Sequence, residues 1–314
     1  MKEYKIERVS KENLHNLIFL YKKCFNLKSD LKFFEKRYNT ISFGAEYLGF
    51  LAFEKKSNTP VGYYGVLPMQ AQINGNQVFV GQSVDAMTHP EHQGKGIFTQ
   101  LAKSTHNLAA EQGMDFLFAF PNYNKHSYPG FKKLNWIFHN EINHYSIKTG
   151  SLPFDKLVKK LAFLQGMYNK YVRKKLRRLI VETIFPNPFQ HLNNGIGHII
   201  HDKKFFQYKI YFESFIIKLG NVVCIVKVDG RLWIGDIKLC TEEEFLGLVD
   251  ELIVLARKLG CSSVHFSMTR DTFYDKILRK KFEIKVKSPI GFQSFNPQVD
   301  PKNFIYQAFD FDTY

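Results

Sequence analysis

The stretch Val84-Asp-Ala-Met-Thr-His-Pro-Glu-His-Gln-Gly-Lys-Gly-Ile-Phe-Thr-Gln-Leu-Ala-Lys103 decides how the chain reads. A strand runs into Pro90, which ends it, and then into a turn with glycines at 94 and 96. From Gly94 to Gln112 the pattern is helical, with Ile97, Leu101, Leu108 and Ala109 on one face and Gly113 closing the helix. The first N–H groups of a helix have no partner within it, and its dipole favours negative charge there. Gly94 and Gly96 let the backbone approach a pyrophosphate with no Cβ in the way, and Lys95 adds a cation. Each such contact contributes only about 0.3–1 kcal/mol at an exposed site, so anchoring a diphosphate needs several together.

Outward from that turn, strands are expected at residues 3–9, Tyr47–Phe53, Val61–Ile73 and Val78–Met87, the last two joined by the hairpin signal Asn74-Gly75-Asn76. Helices are expected over Lys11–Phe25 and Asp30–Tyr38. Phe116–Phe120 reads as a short buried strand, Asn122–Leu134 as a helix distorted at Pro129-Gly130, and Trp136–Ile147 as closing strand structure.

The strand–turn–helix resembles the GNAT acyltransferases, whose signature Gln/Arg-x-x-Gly-x-Gly/Ala opens a helix after a strand. Here it reads Gln93-Gly94-Lys95-Gly96-Ile97-Phe98, with Phe98 where the family has a small residue. The resemblance spans roughly residues 3–147. It implies an acyl-CoA cosubstrate, acetyl-CoA or another, whose pantetheine lies between Val84–Thr88 and Phe116–Phe120. Amides near Met87 and Thr88 would stabilise an oxyanion as an amine attacks. Asp85 matches a strand position that is often acidic in the family and is the candidate base; His89 and His92 flank the loop. The family's usual acid, a tyrosine, is replaced by Phe131 in Phe131-Lys-Lys-Leu134-Asn135-Trp136. Tyr128, one turn earlier, is the substitute, and Asn122 matches an asparagine on the pantetheine side.

After Gly150 the composition shifts. Leu157, Leu161, Leu164, Tyr168, Val172, Leu176 and Leu179 form a helical stripe among nine basic residues between Lys156 and Arg178, with no acidic ones, and Pro186-Asn-Pro188 ends it. Strands follow near Glu213–Lys218, Asn221–Val228 and Arg231–Leu239, with Asp229-Gly230 as a turn. Next come a helix at Glu243–Leu259, a strand at Ser263–Met268, a helix at Thr272–Lys281, and strands at Glu283–Lys287 and Asn303–Phe311. The order repeats that of the first half. The expectation is an α+β fold of tandem GNAT-like domains, each a mixed, mostly antiparallel sheet flanked by helices. A catalytic domain spans 1–150, a basic helical linker 151–190, and a degenerate second domain 191–314. Glu242, Glu243 and Glu244 at the second domain's helix start suit capping and would repel a diphosphate, so that domain is expected to shape the acceptor site, with Lys227, Arg231 and Lys238 as contacts.

Length 314, 45% apolar residues, 31 Phe and 16 Tyr allow two packed cores. No apolar run spans a bilayer, the N-terminus lacks a secretory pattern, and Cys24, Cys224, Cys240 and Cys261 are scattered, without metal spacing. A cytoplasmic monomer or homodimer is expected, with no metal. The charge of +15 suits a polyanionic partner; a nucleotide-linked amino sugar of surface polysaccharide synthesis is the leading acceptor, with peptides, protein lysines and antibiotic amines as alternatives. No helix-turn-helix or RNA-binding aromatic motif stands out. A reading of another class makes the basic helix a module binding an acidic membrane or nucleic acid.

Overall fold

The computed structural model describes residues 3–123, 127–151, 154, 157–158, 162–181, 195–209 and 214–314. Two compact units divide the chain: residues 1–139 with 289–304, and residues 140–288 with 305–314. The units are not contiguous in sequence, because the chain returns to the first one late. Lys156, Lys159, Lys160, Leu161, Pro186-Asn-Pro188 and Glu213 lie outside the described residues.

The first unit holds β1 (Tyr4–Arg8), α1 (Asn16–Phe25), α2 (Leu31–Tyr38), β2 (Leu48–Glu54), β3 (Pro60–Ile73), β4 (Asn76–Thr88), α3 (Ile97–Glu111), β5 (Phe116–Ala119) and α4 (Ser127–Lys133). Its strands run in the order β1, β2, β3, β4, β5, followed by residues 289–294 of β12 (Ile284–Ser294). All pairings are antiparallel except β4 with β5. The hairpin is as the sequence demands: Asn74 and Gly75 both take positive φ, 52° and 79°, as a tight turn between twisted strands requires. Helix α3 lies on β2 and β3, with Ile97, Leu101, Ala102, Leu108 and Ala109 in the core. Gly62 permits that approach, since a Cβ there would sit 2.7 Å from Ile97 Cγ2. Helix α4 continues through Pro129-Gly130, where distortion was expected; proline is tolerated in a helix's first turn because its missing N–H would have no partner there.

The second unit contains the rest of β6 (Ile137–Lys148), α5 (Ala162–Leu176), β7 (His198–Ile199), α6 (Lys203–Lys209), β8 (Ser214–Leu219), β9 (Val222–Val228), β10 (Leu232–Ile237), α7 (Glu242–Lys258), β11 (Ser263–Thr269) and α8 (Phe273–Lys281). The strand order is β6, β11, β10, β9, β8, with only β10 and β11 parallel. Both units therefore share one motif: an antiparallel hairpin, a helix, and a strand parallel to the hairpin's second arm.

The expected strand Asn303–Phe311 is instead two short helical turns, Pro301–Asn303 and Ala308–Asp310, with isolated bridging at Phe304 and at Gln307, the latter to Met268. The reason is a buried ion cluster. His201 Nε2 contacts Asp310 Oδ1 at 2.7 Å and its Nδ1 contacts Asp236 Oδ2 at 2.5 Å. Burial alone would lower the His201 pKa, but the charges of Asp310 and Asp236 and their hydrogen bonds outweigh it and push it up to about 10. Asp310 also accepts from Gln307 N, so the chain turns around that carboxylate and residues 308–310 are lost to strand pairing.

Two outcomes are expected. His201→Ala leaves two buried carboxylates without their cation and should cost about 3–5 kcal/mol in urea unfolding. His201 carries a raised pKa in the folded chain, against about 6.5 unfolded. Its contribution is therefore complete below pH 6.5 and declines as pH rises toward 10; wild-type stability that stays flat from pH 7 to 10 contradicts the imidazolium assignment.

Candidate active site

The parallel pairing of β4 with β5 is short. Val80 faces Phe116, Gly81 faces Leu117 and Gln82 faces Phe118, and the pairing ends there. Strand β4 runs on beside β3 to Thr88, so its edge from Ser83 to Thr88 borders an opening between the two strands. Within that stretch the register slips: Gly65 pairs with Val84 and Tyr63 with Met87, which sets Asp85 and Ala86 opposite the single residue Tyr64. This is a β-bulge whose first residue, Asp85, stands at φ 51°.

Four donors hold Asp85 in that left-handed conformation. Its carboxylate accepts from Tyr21 Oη (2.8 Å), Tyr38 Oη (2.6 Å), Arg37 Nε (2.7 Å) and Arg37 Nη2 (3.1 Å). Arg37 is itself almost fully buried. A carboxylate offers about four acceptor sites, and all are taken. Asp85, expected as the base, is thus placed as the anchor of the bulge, with no lone pair open to an incoming amine. Tyr21, Arg37 and Tyr38 were not singled out from sequence. A signal existed: Arg37 sits at i+3 from Phe34, on the same face of α2 as Phe34 and Tyr38, which is the buried one.

Downstream, Gly94 and Gly96 take φ 76° and 78°, and a Cβ on either would project into open space. Gly96 is the N-cap of α3 and offers no side-chain cap; the helix ladder begins with Gln100 N donating to Gly96 O. Among the described residues no acceptor is found for the N–H groups of Gly94, Gly96, Ile97, Phe98 and Thr99. The backbone there fits an anion that accepts several bonds at once. Gln93 is exposed and its amide reaches Thr88 O at 3.4 Å; Lys95 is exposed. Met87 is buried and Thr88 half-buried at the end of β4.

Phe98, the departure from a small residue, has its own compensation. Its ring packs on Tyr64 and Phe131, and Gly130 of α4 makes room, since a Cβ there would lie 2.7 Å from the ring. Phe131 is buried against Trp136, so it fills core. Tyr128 is half-buried between the rings of Tyr123 and Phe138, with the Lys132 ammonium 4.6 Å from its centroid. Asn122 is exposed just beyond β5. A buried chain runs from Ser83 Oγ to Tyr64 Oη (2.7 Å) and on to His106 Nε2 (3.2 Å); burial pushes the His106 pKa down to about 4, leaving the ring neutral. His89 stacks on Phe19, and His92 Nδ1 lies 3.0 Å from Tyr4 Oη.

The corresponding junction of the second unit is closed by its own residues. Strand β10 also carries a bulge, at Gly235, but a Cβ there would meet the Tyr314 ring at 2.5 Å. Helix α7 begins with a complete capping box, Thr241 and Glu244, behind three carboxylates. The three expected acceptor contacts do not converge. Lys227 is buried and its ammonium donates to Thr313 O. Arg231 lies over the Trp233 ring. Lys238 is exposed beyond the opposite end of β10, about 20 Å away at strand rise. Among the described residues, no cluster of three His, Cys, Asp or Glu is arranged to hold a metal.

Residues 5–138 match the family model of the acetyltransferase (GNAT) domain. Solved structures share the fold over nearly the whole chain. A GCN5-related N-acetyltransferase from Kribbella flavida is 11% identical with a TM-score of 0.59, covering 93% of this chain and 71% of its own. One from Sphaerobacter thermophilus is 10% identical with a TM-score of 0.53, covering 96% and 99%. The Saccharomyces cerevisiae N-myristoyltransferase with bound myristoyl-CoA is 8% identical with a TM-score of 0.58, covering 96% and 82%. No curated protein matches the chain. At these identities the structures speak for the fold alone; the match of residues 5–138 to the acetyltransferase domain supports an acyl-CoA-dependent N-acyltransferase.

Asp85→Asn keeps the shape and the tolerance of positive φ but removes the charge facing Arg37. The expected loss is about 3–5 kcal/mol of unfolding free energy, and a loss below about 1 kcal/mol contradicts a buried pair as the anchor.

Proposed function

We propose that the first unit binds an acyl-CoA with its diphosphate on the amides of Gly94, Gly96, Ile97, Phe98 and Thr99 and its pantetheine entering the opening between β4 and β5. The donated group is acetyl or a short hydroxyacyl group. The observation that carries this reading is the coincidence of two features on one strand: β4 loses its β5 neighbour at Gln82 and bulges at Asp85, and it ends at the amide-lined turn.

The amine nitrogen of the acceptor adds to the thioester carbonyl carbon, and amides at Met87 and Thr88 stabilise the oxyanion. Collapse breaks the carbon–sulfur bond and expels the CoA thiolate, which takes a proton from Tyr128; the proton lost by the amine returns through water to the Tyr128 phenolate. With Asp85 engaged by Arg37, no side chain is assigned as the base. The finer reading of the acceptor is a nucleotide-linked amino sugar, supported by the excess of cationic charge. We read the second unit as a degenerate tandem copy, supported by its repeated element order and its filled junction, and place the enzyme in the cytoplasm, where acyl-CoA is made.

Gly96→Glu puts a carboxylate in the anion's place and a side chain at positive φ, which costs about 1–2 kcal/mol. Turnover of acetyl-CoA should vanish while the circular dichroism spectrum is kept, and acetyl-CoA should raise the melting temperature of the wild type but not of the variant. Retained turnover in the variant contradicts the cradle. Tyr128→Phe should lower kcat by about 10²-fold or more with KM little changed if Tyr128 is the acid.

A further inference from the structure

Helix α5 has two apolar stripes. Tyr168, Val172 and Leu176 are buried in the second unit's core, with Leu164 beside them. The other stripe, Phe163, Met167 and Tyr171, repeats every fourth residue and faces water: Phe163 is 77% exposed, Met167 69% and Tyr171 40%. Phe154, also about half exposed, lies beside it. A groove of about 440 Å³ opens alongside, between Phe154, Leu164, Met167 and Leu259, with Arg257 and Lys258 at its edge. The cations are placed to match: Lys170, Arg173, Lys174 and Lys175 on the helix and Arg177 and Arg178 just after it, with no acidic residue from 162 to 178.

We propose that this face docks the protein on an anionic lipid bilayer, with Phe163, Met167 and Tyr171 in the headgroup–acyl boundary and the surrounding cations on the headgroups. Three partners could meet such a face, and its chemistry separates them. A second copy would bring the same cations against each other. A nucleic acid would use the cations but gain nothing from the exposed Phe and Met, since duplex contacts are made chiefly to phosphates. Only a bilayer uses both at once, burying apolar side chains and neutralising basic ones. The Tyr171 hydroxyl donates to Lys258 O and the Tyr168 hydroxyl to Leu259 O, so the stripe is fixed to the end of α7 rather than free to turn inward. This inference stands independently of the acyl-transfer reading.

The test is co-sedimentation of the full chain with phosphatidylcholine vesicles, with and without phosphatidylserine. Binding is expected only to the anionic vesicles and should weaken as salt rises. Lys174→Glu should reduce it at least fivefold, and the double substitution Phe163→Ser, Met167→Ser at least tenfold, with acetyl-CoA turnover unchanged as the check on folding. Absence of binding to anionic vesicles at low salt overturns the proposal. So does undiminished binding of the Phe163/Met167 variant, and so does duplex DNA that binds equally in wild type and that variant and outcompetes the vesicles.

Discussion

A buried carboxylate with four donors sets the geometry of the first unit. Arg37, Tyr21 and Tyr38 reach Asp85 from two helices that follow the first strand, and together they keep a non-glycine residue at positive φ in mid-strand. That conformation is unfavourable by itself. It persists because the buried Arg37 guanidinium and the hydroxyls of Tyr21 and Tyr38 hold the carboxylate in place. The bulge that results redirects the end of β4 as it leaves β5, at the place where a thioester would have to lie.

The contrast between the two units shows what the shared motif does not determine. In each, a hairpin strand parallels a later strand for only a few residues and then leaves it. In the first, the following turn is glycine-rich, and among the described residues the first amides of its helix have no acceptor. In the second, Thr241 and Glu244 satisfy the helix start, and the last ten residues occupy the neighbourhood of β10: Tyr314 packs on Gly235, Lys227 holds Thr313 and His201 holds Asp310. Among the described residues, the same architecture leaves backbone donors over in one unit and consumes them in the other.

Local patterns were legible in the sequence because local physics makes them. The turn at Asn74-Gly75, the glycines at 94 and 96, the inward face of α3 and the acidic cap of α7 each follow from residues within one turn of one another. What escaped reading joins distant residues. Asp85 was visible as an acidic strand position, but its partners lie 47 to 64 residues away in sequence. Nothing local says that the chain from Pro289 returns to pair with β5, or that Asp310 folds the tail around His201 rather than leaving it a strand. Gly130, read with Pro129 as a distortion of the helix, is the room that Phe98 needs.

The central claim is that the amides of Gly94, Gly96, Ile97, Phe98 and Thr99 are donors awaiting an anion. Hydrogen–deuterium exchange of the full chain, with and without acetyl-CoA, tests it directly. Slower exchange is expected at residues 94–99 and along Ser83–Thr88 when acetyl-CoA is present. Protection confined to other segments, with these amides exchanging as before, would contradict it.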